Sequence, residues 1–347
     1  MSKYFLIIFF PLLAIFFIAS FFISVNKGSP EEEVIITTKQ LKEIPDEINA
    51  IYLTGPYLAS EYRLNNILNL IEDTEINSVV IDVKDFSGRN YLDEDWIYMD
   101  KIIERLHENN VYSIARIAAF EDPKLSSNRN NLAIKNKQGD LWKTYTGLSW
   151  VDPSSKEVWD YNIEIAKKAW NLGFDEINFD YIRFPTDGDL TNINYPFFNE
   201  EKTKRETMIE FYSYLRDKLK SIKISADLFG LTTLSDDIGV GQNIEDAGKY
   251  FDFVCPMVYP SHYASGFQGY LNPSEYPYEV VYKSLAEANK KITNLRPWLQ
   301  AFDLLGYEYD RDEIQKQIKA AKDALLENYH GYMLWNSQNK YIKEGLQ

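Results

Sequence analysis

The chain has 347 residues, a length that suits one large α/β domain with an additional segment. Its net charge of −15 argues against a nucleic-acid-binding protein, because such a protein needs a basic surface to neutralise phosphates. Apolar residues make up 45% of the sequence, which excludes a globally disordered chain. One cysteine excludes an intramolecular disulfide framework and a cysteine-cluster metal site, and three scattered histidines argue against a histidine-rich zinc site. The leading interpretation therefore has no metal and no cofactor.

An uncharged apolar stretch runs from Tyr4 to Val25. As a helix, its 22 residues would span about 33 Å, enough to cross the hydrocarbon core of a bilayer. A cleaved signal peptide is the alternative, but Ala19-Ser20 offers only a poor cleavage site inside the apolar run. We predict that residues 1–27 form a membrane anchor and residues 28–49 a polar linker. The remainder is predicted to be extracytoplasmic, in a single-pass membrane protein or, if the segment is cleaved, a secreted one.

From Ala50 onward, short apolar runs alternate with amphipathic segments. The short runs predict strands at Ala50–Thr54, Ser78–Val83, Tyr112–Ala118, Glu176–Asp180, Lys223–Leu228, Phe253–Tyr259, Arg296–Phe302 and Gly331–Trp335. The amphipathic segments predict helices at Arg63–Asp73, Asp95–Asn109, Ser154–Leu172, Glu200–Leu219, Ile244–Lys249, Tyr278–Asn289 and Arg311–Glu327.

This alternation is typical of an α/β fold, and its eight strands predict a (β/α)8 TIM barrel over residues 50–347. A doubly wound open sheet is the alternative, because a count of strands does not show that a sheet closes. The first strand–helix junction, Leu53 to Tyr57, lacks the G-x-G-x-x-G fingerprint of dinucleotide-binding open sheets. The longer connections follow the C-terminal ends of strands, which is the face of a barrel where active sites are built.

Two consecutive predicted strands carry polar side chains that face the barrel interior. Strand alternation places Asn178 and Asp180 inward on one strand, and Ser225 and Asp227 inward on the next. Two carboxylates on such a face suit cleavage of a glycosidic bond, in which one carboxyl group protonates the leaving oxygen and the other supports or attacks the sugar. We therefore predict that Asp180 and Asp227 form a catalytic pair.

Asp82, Lys84 and Arg116 have the same inward parity on two earlier strands. Burying such charges is costly unless they are paired or used, so we predict that they contact substrate or support the site. For Asp82 and Lys84, a buried salt bridge is the alternative.

Aromatic and polar side chains near the predicted strand ends would complete a carbohydrate-like cleft. Rings can stack on sugars, while guanidinium and amide groups can bind a substrate hydroxyl, carboxylate or sulfate. The other predicted substrate-binding residues are Tyr181, Arg183, Tyr259, His262, Tyr263, Trp298, Gln300, Trp335 and Asn336.

Longer sequence motifs occur across the predicted barrel. They are Ile114–Ile117, Trp150–Pro153, Phe174–Pro185, Ser225–Gly230, Pro256–Tyr263, Arg296–Phe302 and Leu334–Asn336. Together they resemble a bacterial family of glycoside hydrolases, over a stretch that extends from about Ala50 to the C-terminus. The resemblance implies a TIM barrel with sugar-cleaving activity.

A more distant similarity is to chitinase-type barrels. Asp175–Asp180 is similar to their acidic fourth-strand motif, and Met257–Tyr259 to their sixth-strand Met-x-Tyr. Two residues after Asp180, where that motif has its acid glutamate, this chain has Ile182. The substrate-assisted mechanism of chitinases therefore does not transfer, and Asp180 needs another carboxylate, for which we favour Asp227. Less favoured partners are Asp85, Glu121 and Asp122.

The leading hypothesis is a membrane-tethered glycoside hydrolase that cuts a cell-wall or extracellular polysaccharide, with Asp180 as nucleophile or base and Asp227 as general acid. One alternative is a catalytically inactive barrel that binds glycan in the cell envelope. Another is a metal-assisted deacetylase or hydrolase that uses Asp82, Asp85 and His262. The predicted partners are a polysaccharide or oligosaccharide and the membrane, and not nucleic acid.

Overall fold

The computed structural model describes residues 44–304 and 306–347. The predicted anchor, residues 1–27, and most of the predicted linker, residues 28–49, lie outside the described residues. Within the described ranges, no helix is both long enough and apolar enough to cross a membrane.

Among the described residues, eight parallel strands close into a barrel in chain order. They are β1 (Ile48–Leu53), β2 (Ser78–Lys84), β3 (Tyr112–Ala118), β4 (Glu176–Asp180), β5 (Ile224–Phe229), β6 (Phe253–Met257), β7 (Trp298–Gln300) and β8 (Gly331–Trp335). Pairing of Ile48 with Gly331 and of Ile51 with Leu334 joins β8 back to β1. The predicted closed barrel is confirmed, and the open-sheet alternative is wrong.

Helices connect the strands around the outside of the barrel. The described helices are α1 (Gly55–Leu58), α2 (Glu61–Glu72), α3 (Met99–Glu108), α4 (Pro123–Asn128), α5 (Lys156–Leu172), α6 (Lys204–Lys218), α7 (Ile244–Gly248), α8 (Pro277–Asn289) and α9 (Arg311–Leu325). Helix α6 begins four residues after its predicted start, because Thr203 and Glu206 form a reciprocal capping box there.

Alternating strand positions separate an outer and an inner apolar cluster. Outward residues of β4 and β5, such as Ile177, Phe179 and Ile224, belong to the large cluster shared with the helices. Burial of each such side chain contributes about 1.5–3 kcal/mol, which fixes the parity of these strands. A smaller cluster fills the interior of the barrel and includes Ala50, Tyr52, Val80, Tyr112, Ile114, Cys255, Trp298 and Met333.

Strand β4 carries three polar side chains at successive depths inside the barrel. Glu176, at its N-terminal end, forms a fully buried ion pair with Arg296 and accepts a hydrogen bond from the Tyr112 hydroxyl at 3.2 Å. Asn178 lies in the middle of the strand and Asp180 at its C-terminal end. The strand therefore has a structural ion pair at one end and a predicted catalytic carboxylate at the other.

Candidate functional site

A cavity of about 450 Å³ lies at the C-terminal end of the barrel. This volume falls within the usual range of small-molecule sites, and the position is that of active sites in (β/α)8 barrels. The cavity brings together ten of the predicted site residues, which are Arg116, Asp180, Tyr181, Arg183, Asp227, Tyr259, His262, Tyr263, Trp298 and Trp335. That they contact a substrate stays a prediction.

Asp180 reaches this cavity from the last position of β4. One of its carboxylate oxygens accepts a hydrogen bond from the backbone N–H of Tyr181 at 2.6 Å, and the other accepts one from Arg116. Tyr181 has a left-handed φ of 53°, a conformation that costs a non-glycine residue about 1–3 kcal/mol. The backbone is thus held in a strained turn where the strand ends, with its amide on the Asp180 carboxylate.

Asp227 lines the same cavity from β5, although only 1% of its surface is exposed. Its Oδ1 accepts hydrogen bonds from Trp298 Nε1 at 2.7 Å and Asn178 Nδ2 at 2.8 Å. Its Oδ2 has no hydrogen-bond partner in the described part of the chain. Burial, followed by the nearby Asp180, raises the pKa of Asp227 to about 8, although Arg116 opposes the shift. Asp227 is therefore mostly protonated at neutral pH.

Arg116 connects three acidic side chains. Its Nη1 donates to Asp82 at 2.6 Å, its Nη2 donates to Asp180, and its Nε lies 3.6 Å from Asp227 Oδ2. The Tyr52 hydroxyl donates to the second oxygen of Asp82 at 2.5 Å. Burial disfavours the charged guanidinium, but Asp82 and Asp180 outweigh it and raise the pKa of Arg116 well above its ordinary value. Arg116 is therefore a fixed positive charge between the two predicted catalytic groups.

Aromatic rings form the wall of the cavity beside Arg116. Trp335 stacks on Tyr52 with ring centroids 3.9 Å apart, and Trp298 meets Trp335 edge-on at 5.6 Å. The Arg116 guanidinium lies 4.8 Å from the centre of the Trp335 ring. Tyr259 lies in the same part of the cavity and is buried. Trp335, Trp298 and Tyr259 thus give the cavity an aromatic wall.

A second guanidinium, that of Arg183, lies among other rings of the cavity region. It sits 4.9 Å from the centre of the Trp150 ring, 5.5 Å from Tyr181 and 4.5 Å from Phe229. Only 8% of the Arg183 surface is exposed. Burial lowers the pKa of Arg183, while neighbouring acidic groups oppose that shift.

Three predicted substrate-binding residues other than Lys84 do not line the cavity in the described structure. Asp82 is buried beneath Arg116 and bonded to it. Gln300 donates to the Phe302 carbonyl at 2.9 Å and accepts from the Ser261 amide, so its side chain holds two loops. Asn336 similarly donates to the carbonyl of Ala301. Asp82, Gln300 and Asn336 therefore support neighbouring groups in the described structure, and that they contact substrate stays a prediction.

Lys84 lies on the other side of β2 from its predicted position. A register shift between Asp82 and Lys84 pairs Lys84 with the outward-facing Ile117 of β3. Its ammonium group is buried outside the barrel, 2.8 Å from Asp122 and 3.2 Å from Asn162 of α5. A bulge of this kind reverses the parity that regular alternation predicts. The predicted inward position of Lys84 is wrong, and its buried salt bridge is with Asp122 and not with Asp82. That Lys84 binds substrate stays a prediction.

Sequence reasoning missed four lining residues, which are Phe229, Gly230, Leu231 and Met257. A Cβ on Gly230 would lie 2.5 Å from the Met257 carbonyl oxygen, so the cavity wall needs a glycine there. The sequence analysis also did not single out Tyr52, which supports Asp82, although its inward position on the first predicted strand could have indicated it. Apolar lining residues give no such indication, because their sequence pattern is the same as that of core residues.

Glu121, a less favoured candidate, lies in the loop that follows β3 and is 6% exposed. Burial raises the pKa of Glu121 to about 7, with Arg183 opposing the shift and Asp187 and Asp180 adding to it. Glu121 is not among the residues that line the described cavity. It remains a titratable group close enough to the site to be tested.

The residues of the metal-assisted alternative do not come together. Asp85 accepts hydrogen bonds from Ser87 and Tyr91, whereas Asp82 is bonded to Arg116. Across residues 44–304 and 306–347 there is no group of three or more side chains arranged to hold a metal ion. The predicted set of Asp82, Asp85 and His262 is therefore not a metal site.

Solved structures share the fold of this chain. The glycoside hydrolase domain of PgaB (BpsB) from Bordetella bronchiseptica is 14% identical, with a TM-score of 0.58 over 85% of this chain and 95% of its own. The spore cortex-lytic enzyme SleL of Bacillus megaterium is 14% identical, with a TM-score of 0.52 over 87% and 74%. A hypothetical protein from Ruminiclostridium thermocellum is similar in sequence, with 38% identity over 51% of this chain and 96% of its own and a TM-score of 0.48.

Family membership comes from the sequence. The profile of the family described as "Putative glycosyl hydrolase domain" matches residues 50–341. No curated protein matches the sequence. The matched segment contains nearly the whole barrel and every residue that lines the cavity. The more distant similarity to chitinase-type barrels stays a prediction. The chain belongs to this glycosyl hydrolase family and is a glycosidase.

Proposed function

We propose that this glycosidase uses paired-carboxylate catalysis, with Asp180 as nucleophile or base and Asp227 as general acid. One observation carries the proposal: the two carboxyl groups line one cavity and lie against the same Arg116 guanidinium. Glycosidic cleavage needs one carboxyl group that gives a proton and one that is ionised. The two residues therefore face one cavity from neighbouring strands, as a pair of catalytic carboxyl groups would.

The environment of Asp227 supports its role as the acid. Its pKa of about 8 keeps it protonated at neutral pH, when an acid of this kind must act. Trp298 and Asn178 both donate to Oδ1, so the proton belongs on Oδ2. Among the described residues, no hydrogen-bond acceptor contacts Oδ2. A proton on this oxygen is therefore free to be donated to a substrate.

The environment of Asp180 supports the complementary role. The Tyr181 amide and the Arg116 guanidinium both donate to its carboxylate. These contacts fix its orientation at the end of β4, where a nucleophile or base must be held within reach of the sugar. Arg116 thereby stabilises a negative charge on Asp180 beside a protonated Asp227.

The substrate that we propose is a cell-wall or extracellular polysaccharide. The uncharged stretch from Tyr4 to Val25 supports this assignment, because an anchor there would place the barrel outside the cytoplasm. The ring-lined wall formed by Trp335, Trp298 and Tyr259 supports a glycan ligand. SleL, which shares the fold, is a spore cortex-lytic enzyme, so this barrel architecture serves wall degradation in at least one protein.

Asp180→Asn and Asp227→Asn in the full chain test the pair. Each should lower the turnover of purified wall polysaccharides, measured as released reducing ends, by about 10²–10⁴-fold. Glu176→Gln is the matched control, because Glu176 is a buried carboxylate of the same strand that contacts Arg296 instead of the cavity. It should leave kcat of the folded enzyme close to wild type. Unchanged turnover in either aspartate variant would refute that residue's assignment.

The same experiment separates the alternatives. Glu121→Gln tests the other buried carboxyl group near the site, and a loss as large as that of Asp227→Asn would transfer the acid role to Glu121. Binding of wall glycans by the wild-type chain without any release of reducing ends would favour the inactive glycan-binding barrel.

A further inference from the structure

We propose that Arg183 forms an anion-binding subsite and that this cavity accepts a sugar that carries a carboxylate. The inference rests on the proposed function and narrows its substrate class. It comes from a difference between the two guanidinium groups of the cavity.

Arg116 has its charge compensated within the protein. It contacts Asp82 and Asp180 and lies 3.6 Å from Asp227. Arg183 forms no ion pair with any carboxylate of residues 44–304 or 306–347, although it is nine-tenths buried. Its Nη1 donates to the Phe184 carbonyl at 3.1 Å and more weakly to the Thr186 hydroxyl at 3.4 Å, whereas Nε and Nη2 have no protein acceptor in those ranges. A buried guanidinium without a counter-charge is costly, and a ligand anion would supply that charge.

The surroundings of Arg183 hold its planar group in place. The rings of Trp150 and Phe229 lie 4.9 Å and 4.5 Å from the guanidinium carbon, and Tyr181 lies at 5.5 Å. Rings in contact with a guanidinium reduce its freedom and its access to water, but they do not neutralise it. The remaining N–H groups are therefore preorganised for an acceptor in the cavity that Arg183 lines.

Three acidic groups act on Arg183 from a distance, namely Glu121, Asp187 and Asp180. Asp180 is already bonded to Arg116, and Asp187 is half-exposed, so that solvent screens it. Glu121, with a pKa of about 7, is protonated about half of the time at neutral pH. The repulsion between these groups and an anion bound at Arg183 is therefore weaker than three full negative charges would produce. The overall charge of −15 is also screened beyond about 8 Å at physiological salt.

A carboxylate matches this subsite better than a hydroxyl does. A guanidinium offers parallel N–H donors that fit the two oxygens of a carboxylate, and charge-assisted hydrogen bonds of this kind are about twice as strong as neutral ones. Two glycan groups provide that chemistry. One is the ring carboxylate of a uronic acid, and the other is the lactyl ether carboxylate of muramic acid.

Binding of charged sugars and their neutral esters tests the inference. Calorimetry on the full wild-type chain would compare methyl β-D-glucuronide with its methyl ester, and N-acetylmuramic acid with its methyl ester. At least one acid should bind about tenfold or more tightly than its ester. The ratio should fall to near one in Arg183→Gln. Arg63→Gln is the matched control, because Arg63 lies over the ring of Tyr57, outside the cavity, and it should keep the wild-type ratio.

The pair of sugars that shows the difference identifies the source of the carboxylate. Equal affinity of the wild type for both acids and their esters would overturn the inference, as would a ratio that survives Arg183→Gln. If Arg183→Gln does not fold, Arg183→Met removes the charge but keeps an apolar side chain of similar length between the rings, and an unchanged ratio there would equally overturn it. Hydrolysis without charge discrimination would refute this inference alone. Charge discrimination without hydrolysis would refute the proposed function alone.

Discussion

The pH dependence of cleavage tests the role of Asp227 most directly. A pKa of about 8 means that Asp227 is about nine-tenths protonated at pH 7 and about one-tenth protonated at pH 9. If Asp227 donates the proton to the leaving oxygen, activity requires the protonated form. The kcat/KM of the wild type should therefore fall about tenfold between pH 7 and pH 9, with a midpoint near 8.

Asp227→Asn should remove this basic limb as well as most of the activity. The loss should be smaller for a nitrophenyl glycoside than for an oligosaccharide, because nitrophenolate leaves without much help from an acid. A limb that persists in Asp227→Asn would refute the assignment. A limb centred near pH 7 that disappears in Glu121→Gln would point to Glu121, whose pKa lies there.

Three substitutions test the structural conclusions. Glu176→Gln should lower the free energy of unfolding in urea by about 3–5 kcal/mol, because it leaves Arg296 buried without its carboxylate, and an unchanged midpoint would contradict that ion pair. Lys84→Met should destabilise the fold through the unpaired Asp122 while KM stays constant, and a raised KM would return Lys84 to the binding site. Gly230→Ala should lower kcat/KM in steady-state assays, because its Cβ would lie 2.5 Å from a carbonyl oxygen of the cavity wall, and wild-type kinetics would show that the wall adapts.

The barrel was predictable because its signal is spread over the whole chain. Each strand combines a short apolar run with a following amphipathic segment, and eight repeats leave few topologies. The ends of the elements were less accurate, since they depend on local contacts. Strand β7 has three residues instead of the predicted seven, and α3 begins at Met99 instead of Asp95. Closure of the barrel depends on the pairing of β8 with β1, and a local sequence pattern does not show which distant strands pair.

The inward–outward alternation of strand residues predicted the placement of Asp180 and Asp227 but failed for Lys84, where the register of β2 shifts. Asp180 and Asp227 face the cavity because β4 and β5 alternate regularly up to those residues. Lys84 does not, because the shift after Asp82 turns it outward. Residues at or just beyond the strand ends, such as Gln300 and Asn336, turn toward loop carbonyls that a sequence pattern does not locate.

A comparison of the two buried charge clusters of the barrel explains where a catalytic proton would come from. At the N-terminal end, Glu176 faces Arg296 in a pair of one acid and one base. At the C-terminal end, Arg116 faces three carboxyl groups, one of which is Asp227. One guanidinium does not support three buried negative charges, so a proton must remain in the second cluster. Burial raises the pKa of both Asp82 and Asp227, and we assign the proton to Asp227, which lies farther from Arg116 and lines the cavity. Three carboxyl groups around one guanidinium would weaken a purely structural core. Here they leave a proton beside Asp180, in the cavity where a glycosidic oxygen would receive it.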